Sequence, residues 1–140
     1  MPEAAGAPQR TLSTFELVAM VAALSALNAL AIDIMLPALP DIGREFSLVN
    51  DNDRQLVVVA YVALFGISQL IYGPLADSFG RRSVLIYALG IYIAGSVLCV
   101  IAPNFELFLA ARAMQGVGAA ATRVIATAVV RDLTEGRRMA

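Results

Sequence analysis

The chain predicts an all-α membrane protein of four transmembrane helices, and three observations carry that prediction. Mean hydropathy is +0.76, and charged residues make up only 15% of the 140, against about 25% in soluble domains. Four apolar runs, at about 17–36, 56–76, 84–102 and 105–130, each approach or exceed the roughly 20 residues that a helix needs to cross a bilayer. The polar segments between them place most of the arginines on one side, as short loops between antiparallel spans do.

Each element has a local reason. Residues 1–14, rich in alanine, proline and glycine, read as a disordered cytoplasmic lead, and the transmembrane portion follows over 15–140. Ser13 or Thr14 caps the first helix, with Glu16 in its first turn. The first run is too long for a signal-peptide core, carries Asp33 and lacks a small-residue cleavage site, so it stays in the mature protein. Pro37 and Pro40 are expected to end that helix. The stretch DIGREFSLVNDND, from Asp41 to Asp53, then forms the largest external loop, with at most one amphipathic turn. The second helix runs down to Asp77, the third up to Pro103 and the fourth down to Arg131 and Asp132.

Charge orients the chain and excludes several functions. All ten basic residues are arginine. Arg10, Arg81, Arg82, Arg131, Arg137 and Arg138 flank one side; Arg44 and Arg54 flank the other, diluted by Asp41, Glu45, Asp51 and Asp53. Positive-inside bias therefore places both termini in the cytoplasm. With a net charge of −1 and no basic patch, nucleic acid is not an expected partner. Cys99 is the single cysteine and lies within the third span, so it suggests neither an intrachain disulfide nor a metal site. The absence of histidine removes most metal and acid–base constellations, and no enzyme activity or cofactor is expected.

Chemistry concentrates in three places. The first is the loop GPLADSFGRRSVL from Gly73 to Leu85, in which Gly73 and Gly80 allow tight turning and close helix approach. Asp77 sits at a helix C-terminus, where the macrodipole is already negative, so Arg81 or Arg82 should compensate it. Read alone, the arginines could simply hold the loop on the cytoplasmic side. The second is RAMQGVGAAA in the fourth run. At 100° per residue, Gln115, Gly116, Ala119 and Arg123 fall within about 60° of Arg112 on one polar, small face. An arginine within a span costs about 2.5–3.5 kcal/mol on insertion scales and normally faces a cavity or an acid. Gly116, Gly118 and the alanines suit close helix packing; the alternative for Arg112, about 10 Å from the outer end, is snorkelling. Arg123 lies about 16 Å further towards the cytoplasm.

Asp33 is the third. A carboxylate within a span is a functional hypothesis by default, and its estimated depth matches that of Arg112, so the two are expected to pair. Burial favours a neutral acid and a nearby arginine favours a carboxylate; such opposed influences suit a group that loads and releases a proton. The alternative is a helix-end acid reaching headgroup water beside Pro37.

These motifs carry a resemblance. Gly-x-Leu-x-Asp-x-x-Gly-Arg-Arg over Gly73–Arg82 resembles the loop between the second and third helices of the major facilitator superfamily. Arg-x-x-Gln-Gly-x-Gly-Ala from Arg112 is similar to its fourth-helix motif, associated with proton transfer in proton-coupled members. Asp-x-x-Leu-Pro-x-Leu-Pro from Asp33 resembles the first-helix motif of drug:proton antiporters, and with QLIYGPLADSFGRRSVL and VVRDLTEG the likeness is to the Bcr/CflA branch. Ser78 stands where a basic residue is common and Ser83 where proline is frequent.

The resemblance implies proton-coupled efflux of small drug-like molecules by alternating access, with protons as the coupling ion and no cofactor. Asp33, Arg112, Gln115 and Arg123 would then belong to the coupling and substrate cavity, and Gly73, Asp77, Gly80, Arg81 and Arg82 to a conformational gating loop. The setting would be the cell inner membrane, with the lipid bilayer as partner. Family architecture is two six-helix halves, so four spans are expected to be the amino-terminal part of a half, partnered by the remaining helices of a full-length carrier. The alternatives are a free-standing four-span protein acting as a dimeric small multidrug carrier, and an inactive truncation. Small multidrug carriers also place an acid in the first span but lack the Gly73–Leu85 pattern.

Overall fold

The computed structural model describes residues 13–50 and 52–138; the predicted lead therefore lies outside the described residues, apart from its last two positions. Helices α1 (Thr14–Asp33), α2 (Met35–Glu45), α3 (Leu56–Phe79), α4 (Arg81–Ile101) and α5 (Phe105–Arg138) follow one another, with a 3-10 turn at Asp53–Gln55. Among the described residues there is no strand. Four stretches are long and apolar enough to cross a membrane: Val18–Glu45, Asp53–Phe79, Arg81–Ile101 and Phe105–Arg131.

The start of α1 is a capping box. Ser13 Oγ accepts from the Glu16 amide at 3.2 Å while Glu16 Oε2 accepts from the Ser13 amide at 2.8 Å, so two orphan helix-end donors are satisfied together. The far end departs from expectation. Pro37 and Pro40 do not end the helical path, which resumes as α2 and carries Asp41 to Glu45 in helix rather than in a loop. Proline lacks the N–H that would bond four residues back. Pro37 therefore leaves the Asp33 carbonyl without its ladder partner, and the helix breaks at Ile34. Ile34 nevertheless keeps helical dihedrals, and its own amide still reaches Leu30 O at 3.0 Å. Pro37 falls in the first turn of α2, where an N–H would be orphaned in any case.

The connection from α2 to α3 is consequently short. It closes through Leu48 N to Gly43 O at 2.9 Å and a left-handed Ser47 at φ 50°. Phe46 packs against Phe105 and Phe108 with ring centroids 5.8 and 5.4 Å away, which pins this connection to the start of α5. At the opposite end of the bundle, Gly80 joins α3 to α4 at φ +83°, ψ 138°, a conformation that a side chain would strain. Asn104 caps α5 by accepting the Leu107 amide on Oδ1 at 2.8 Å.

Helix α5 is the hub. Half of its apolar stretch is buried, against 6% for the first stretch, because α3 and α4 both pack along it and α1 touches it more lightly. Tyr72, Val84, Ala88, Ala120, Ala121 and Ile125 form the core where α3, α4 and α5 meet. Small residues on α5 make this possible. A Cβ on Gly116 would stand 2.2 Å from Tyr61 O, and one on Gly118 would stand 2.5 Å from Ala88 O and Tyr92 N. With no hydrophobic drive between helices inside lipid, backbone approach of this kind is what holds them. Leu30, Val59, Leu70, Ile86, Ile93 and Val100 are exposed on the outside, as the apolar surface of a membrane-embedded bundle requires.

Candidate functional site

Arg112 and Gln115 lie one turn apart on α5, on the face that meets α1, α3 and α4. Both are buried, Arg112 to 2% exposure. The guanidinium donates from Nη1 to Gln115 Oε1 at 2.6 Å and from Nη2 to the Ala31 carbonyl at 3.2 Å. Its Cζ sits 4.8 Å from the centroid of the Tyr61 ring, within cation–π range. Nε is buried with no hydrogen-bond partner. Gln115 Nε2 donates to Ser96 Oγ at 2.7 Å, Ser96 Oγ donates to Tyr92 O at 2.8 Å, and Cys99 Sγ lies 3.7 Å from Gln115 Oε1. Gly95 admits this arrangement, since a Cβ there would meet the Gln115 amide at 2.9 Å and Ala111 O at 3.0 Å.

The cation is thus held by carbonyl oxygens and an aromatic face. Asp33 is not its partner. The expected Asp33–Arg112 ion pair does not form: Asp33 is exposed at the last residue of α1. Their depths are comparable, but the direction is wrong. Asn28 marks the side of α1 that faces α5, through a 2.9 Å bond from Nδ2 to Thr122 Oγ1. Asp33 is five residues further on, about 140° around the helix from that side.

Arg123 shares the azimuth of Arg112 but is exposed. Arg123 lines two clefts, one beside α1 with Ser25, Asn28 and Thr127, the other of about 500 Å³ between α3 and α5. The larger cleft also holds Gly73, Asp77, Arg81 and Arg131. Asp77 and Arg82 are exposed. Gly73 is not a point of close approach, because a Cβ there would meet nothing within 4 Å; close approach belongs to Gly95, Gly116 and Gly118.

A second buried polar cluster, absent from the sequence motifs, joins α1, α3 and α5. Tyr61 donates to Asn28 Oδ1 at 3.2 Å, and Thr122 Oγ1 donates to Ala119 O at 2.6 Å while accepting from Asn28. The signal was present in Asn28, a lone amide inside an apolar run, since a polar side chain at that depth needs a partner. Tyr61, Ser96 and Thr122 carry no such mark in the sequence, because each also occurs as a packing residue.

A family model described as Major Facilitator Superfamily matches residues 21–140. Among similar proteins, Multidrug resistance protein D of Escherichia coli (strain K12) is 35% identical over 85% of this chain and 30% of its own length. Multidrug resistance protein MdtL of Escherichia coli O9:H4 is 38% identical over 84% of this chain and 30% of its own length. A Chloramphenicol resistance protein of Pseudomonas aeruginosa is 35% identical over 88% and 30% respectively. The chain spans about a third of the length of these relatives.

Proposed function

The chain belongs to the Major Facilitator Superfamily, and from that membership we propose that it is the amino-terminal part of a carrier exporting small drug-like molecules in exchange for protons. It is an integral membrane protein of a transporter family. The observation that carries the proposal is the buried Arg112 guanidinium, set among Gln115, Ala31 and Tyr61 with one N–H unpartnered. A desolvated cation without a carboxylate is costly. It is therefore suited to respond when a charge, such as a proton on a neighbouring acid or a polar atom of a substrate, arrives or leaves. The resistance names of the relatives support a drug-like substrate.

Asp33 is the acid we assign to proton loading. Exposed on α1 away from α5, it is available to water or to other helices rather than committed to an ion pair. The loop with Gly73, Asp77, Gly80, Arg81 and Arg82 is assigned to gating, and the Bcr/CflA likeness to the same proposal. The reading frame holding these residues, expressed in a drug-hypersensitive bacterium, tests the assignment. Accumulation of chloramphenicol should fall and should recover when a protonophore collapses the gradient. Asp33→Asn should lose that protonophore-sensitive export at normal membrane levels. Accumulation that ignores the protonophore, or an Asp33→Asn carrier that exports normally, would overturn proton coupling through this acid.

Orientation is part of the proposal. The arginine distribution supports a cytoplasmic location for both ends of the chain in an inner-membrane protein. A periplasm-active reporter enzyme inserted at Asn104 should be active and one fused after Arg131 inactive; the reverse pattern would invert the topology.

A further inference from the structure

Arg112 rests on a side chain supplied by another helix. We propose that Tyr61 is a positioning residue of the coupling site, its ring carrying the Arg112 guanidinium and its hydroxyl anchored on Asn28, so that α1, α3 and α5 hold the cation as one unit. The coupling part of this inference rests on the role proposed above for Arg112; the positioning part does not.

Tyr61 is fully buried and its ring is held at three points. Its hydroxyl donates to Asn28 Oδ1 at 3.2 Å. The Asn28 amide cannot turn away, because its Nδ2 is committed to Thr122 Oγ1 at 2.9 Å and Leu24 O at 3.3 Å. The backbone beneath the ring is seated by Gly116, which leaves room for Tyr61 O against α5. Phe65 lies nearly parallel to the ring, 6.0 Å between centroids. Any apolar side chain could fill this volume. Only an aromatic one presents a negative face to the cation 4.8 Å away, and only tyrosine adds the anchoring hydroxyl. Among the described contacts Tyr61 also joins the Arg112–Gln115–Ser96 chain to the Asn28–Thr122 pair. A displacement of Arg112 is therefore felt at α1 through this ring.

Cys99 provides a readout independent of transport. It is the single cysteine and touches Gln115, the residue that Arg112 holds. The alkylation rate of Cys99 by N-ethylmaleimide is measured on the full 140-residue chain in membranes, together with its thermal midpoint. Tyr61→Leu should raise the rate about tenfold, the factor for losing a desolvated cation–π contact. Tyr61→Phe keeps the ring and should raise it by no more than about fivefold, the factor for one neutral hydrogen bond. Tyr72→Leu, in the α3–α4–α5 core, should lower the thermal midpoint without changing Cys99 labelling.

A wild-type rate in Tyr61→Leu, or equal rates in the Leu and Phe variants, would overturn the proposal. Should Tyr61→Leu fail to accumulate, the Phe variant is combined with Asn28→Ala. A double variant no worse than Asn28→Ala alone is the expected result, and additive rises would overturn the anchoring. Drug-stimulated proton release, measured on the same variants in the carrier, should follow the labelling order. If the wild-type carrier releases no protons at all, the transport reading fails, while Cys99 labelling still decides the position of Arg112.

Discussion

Replacing Gly116 by alanine should separate α5 from α3 and destabilise the bundle by about 3 kcal/mol, the upper part of the usual range for overpacking. The added methyl would lie 2.2 Å from Tyr61 O, 3.0 Å from Tyr61 C and 3.1 Å from the Phe65 amide. All three are backbone atoms of one helix, so no side chain can swing aside and the helices themselves must move. The same movement would lift Tyr61 from beneath Arg112, one turn earlier on α5, so packing and site should fail together. Thermal melting in detergent measures the first effect and Cys99 labelling the second. Gly66→Ala on α3, where a methyl would meet nothing within 4 Å, serves as the matched change and should melt with the wild type. A Gly116→Ala protein that melts normally would mean that α3 and α5 are not in backbone contact.

In the proposed carrier, Arg112→Met should lower drug-driven proton exchange roughly ten- to hundredfold. That range corresponds to removing a charge-assisted hydrogen bond worth about 1.5–3 kcal/mol. Methionine is of similar length and apolar, so it removes the cation while filling much of its space. It removes the guanidinium donor from Gln115 Oε1 and from Ala31 O. Arg112→Lys separates charge from shape. Lysine keeps the positive charge but cannot offer two in-plane donors while stacking on a ring, so exchange should fall between wild type and Arg112→Met. Drug-stimulated proton release, normalised to the amount of folded carrier, is the measurement. Normal exchange in Arg112→Met would overturn the proposed coupling role and leave the arginine a structural cation.

Particular residues show how far the sequence could be read. Run length and composition located four spanning helices, because crossing a bilayer is a demand on consecutive residues. Ser13 and Glu16 announced the capping box because its spacing is local. Pro37 has the sequence mark of a terminator, whereas in the first turn of α2 it removes one bond and permits the path to continue. Asp33 and Arg112 were matched by depth, which residue count supplies; their directions around two separate helices are not functions of count. Tyr61 and Thr122 are ordinary in sequence, and only their neighbours make them part of a polar cluster.

By itself the sequence determined the all-α class, the number of membrane-length helices, the loop and fourth-helix motifs and, through these, the family. Each of these is set by composition or by spacing along one chain. Only the tertiary structure decided that Arg112 is held by Gln115, the Ala31 carbonyl and the Tyr61 ring, and that Asp33 stands apart from it. Inside a membrane the helices are already formed, and their mutual rotation is chosen by where backbones can approach and buried polar groups can be satisfied. Here those choices were made at Gly95, Gly116 and Gly118, where missing side chains let α5 close on α3 and α4, and at Asn28, which turned one face of α1 towards Thr122.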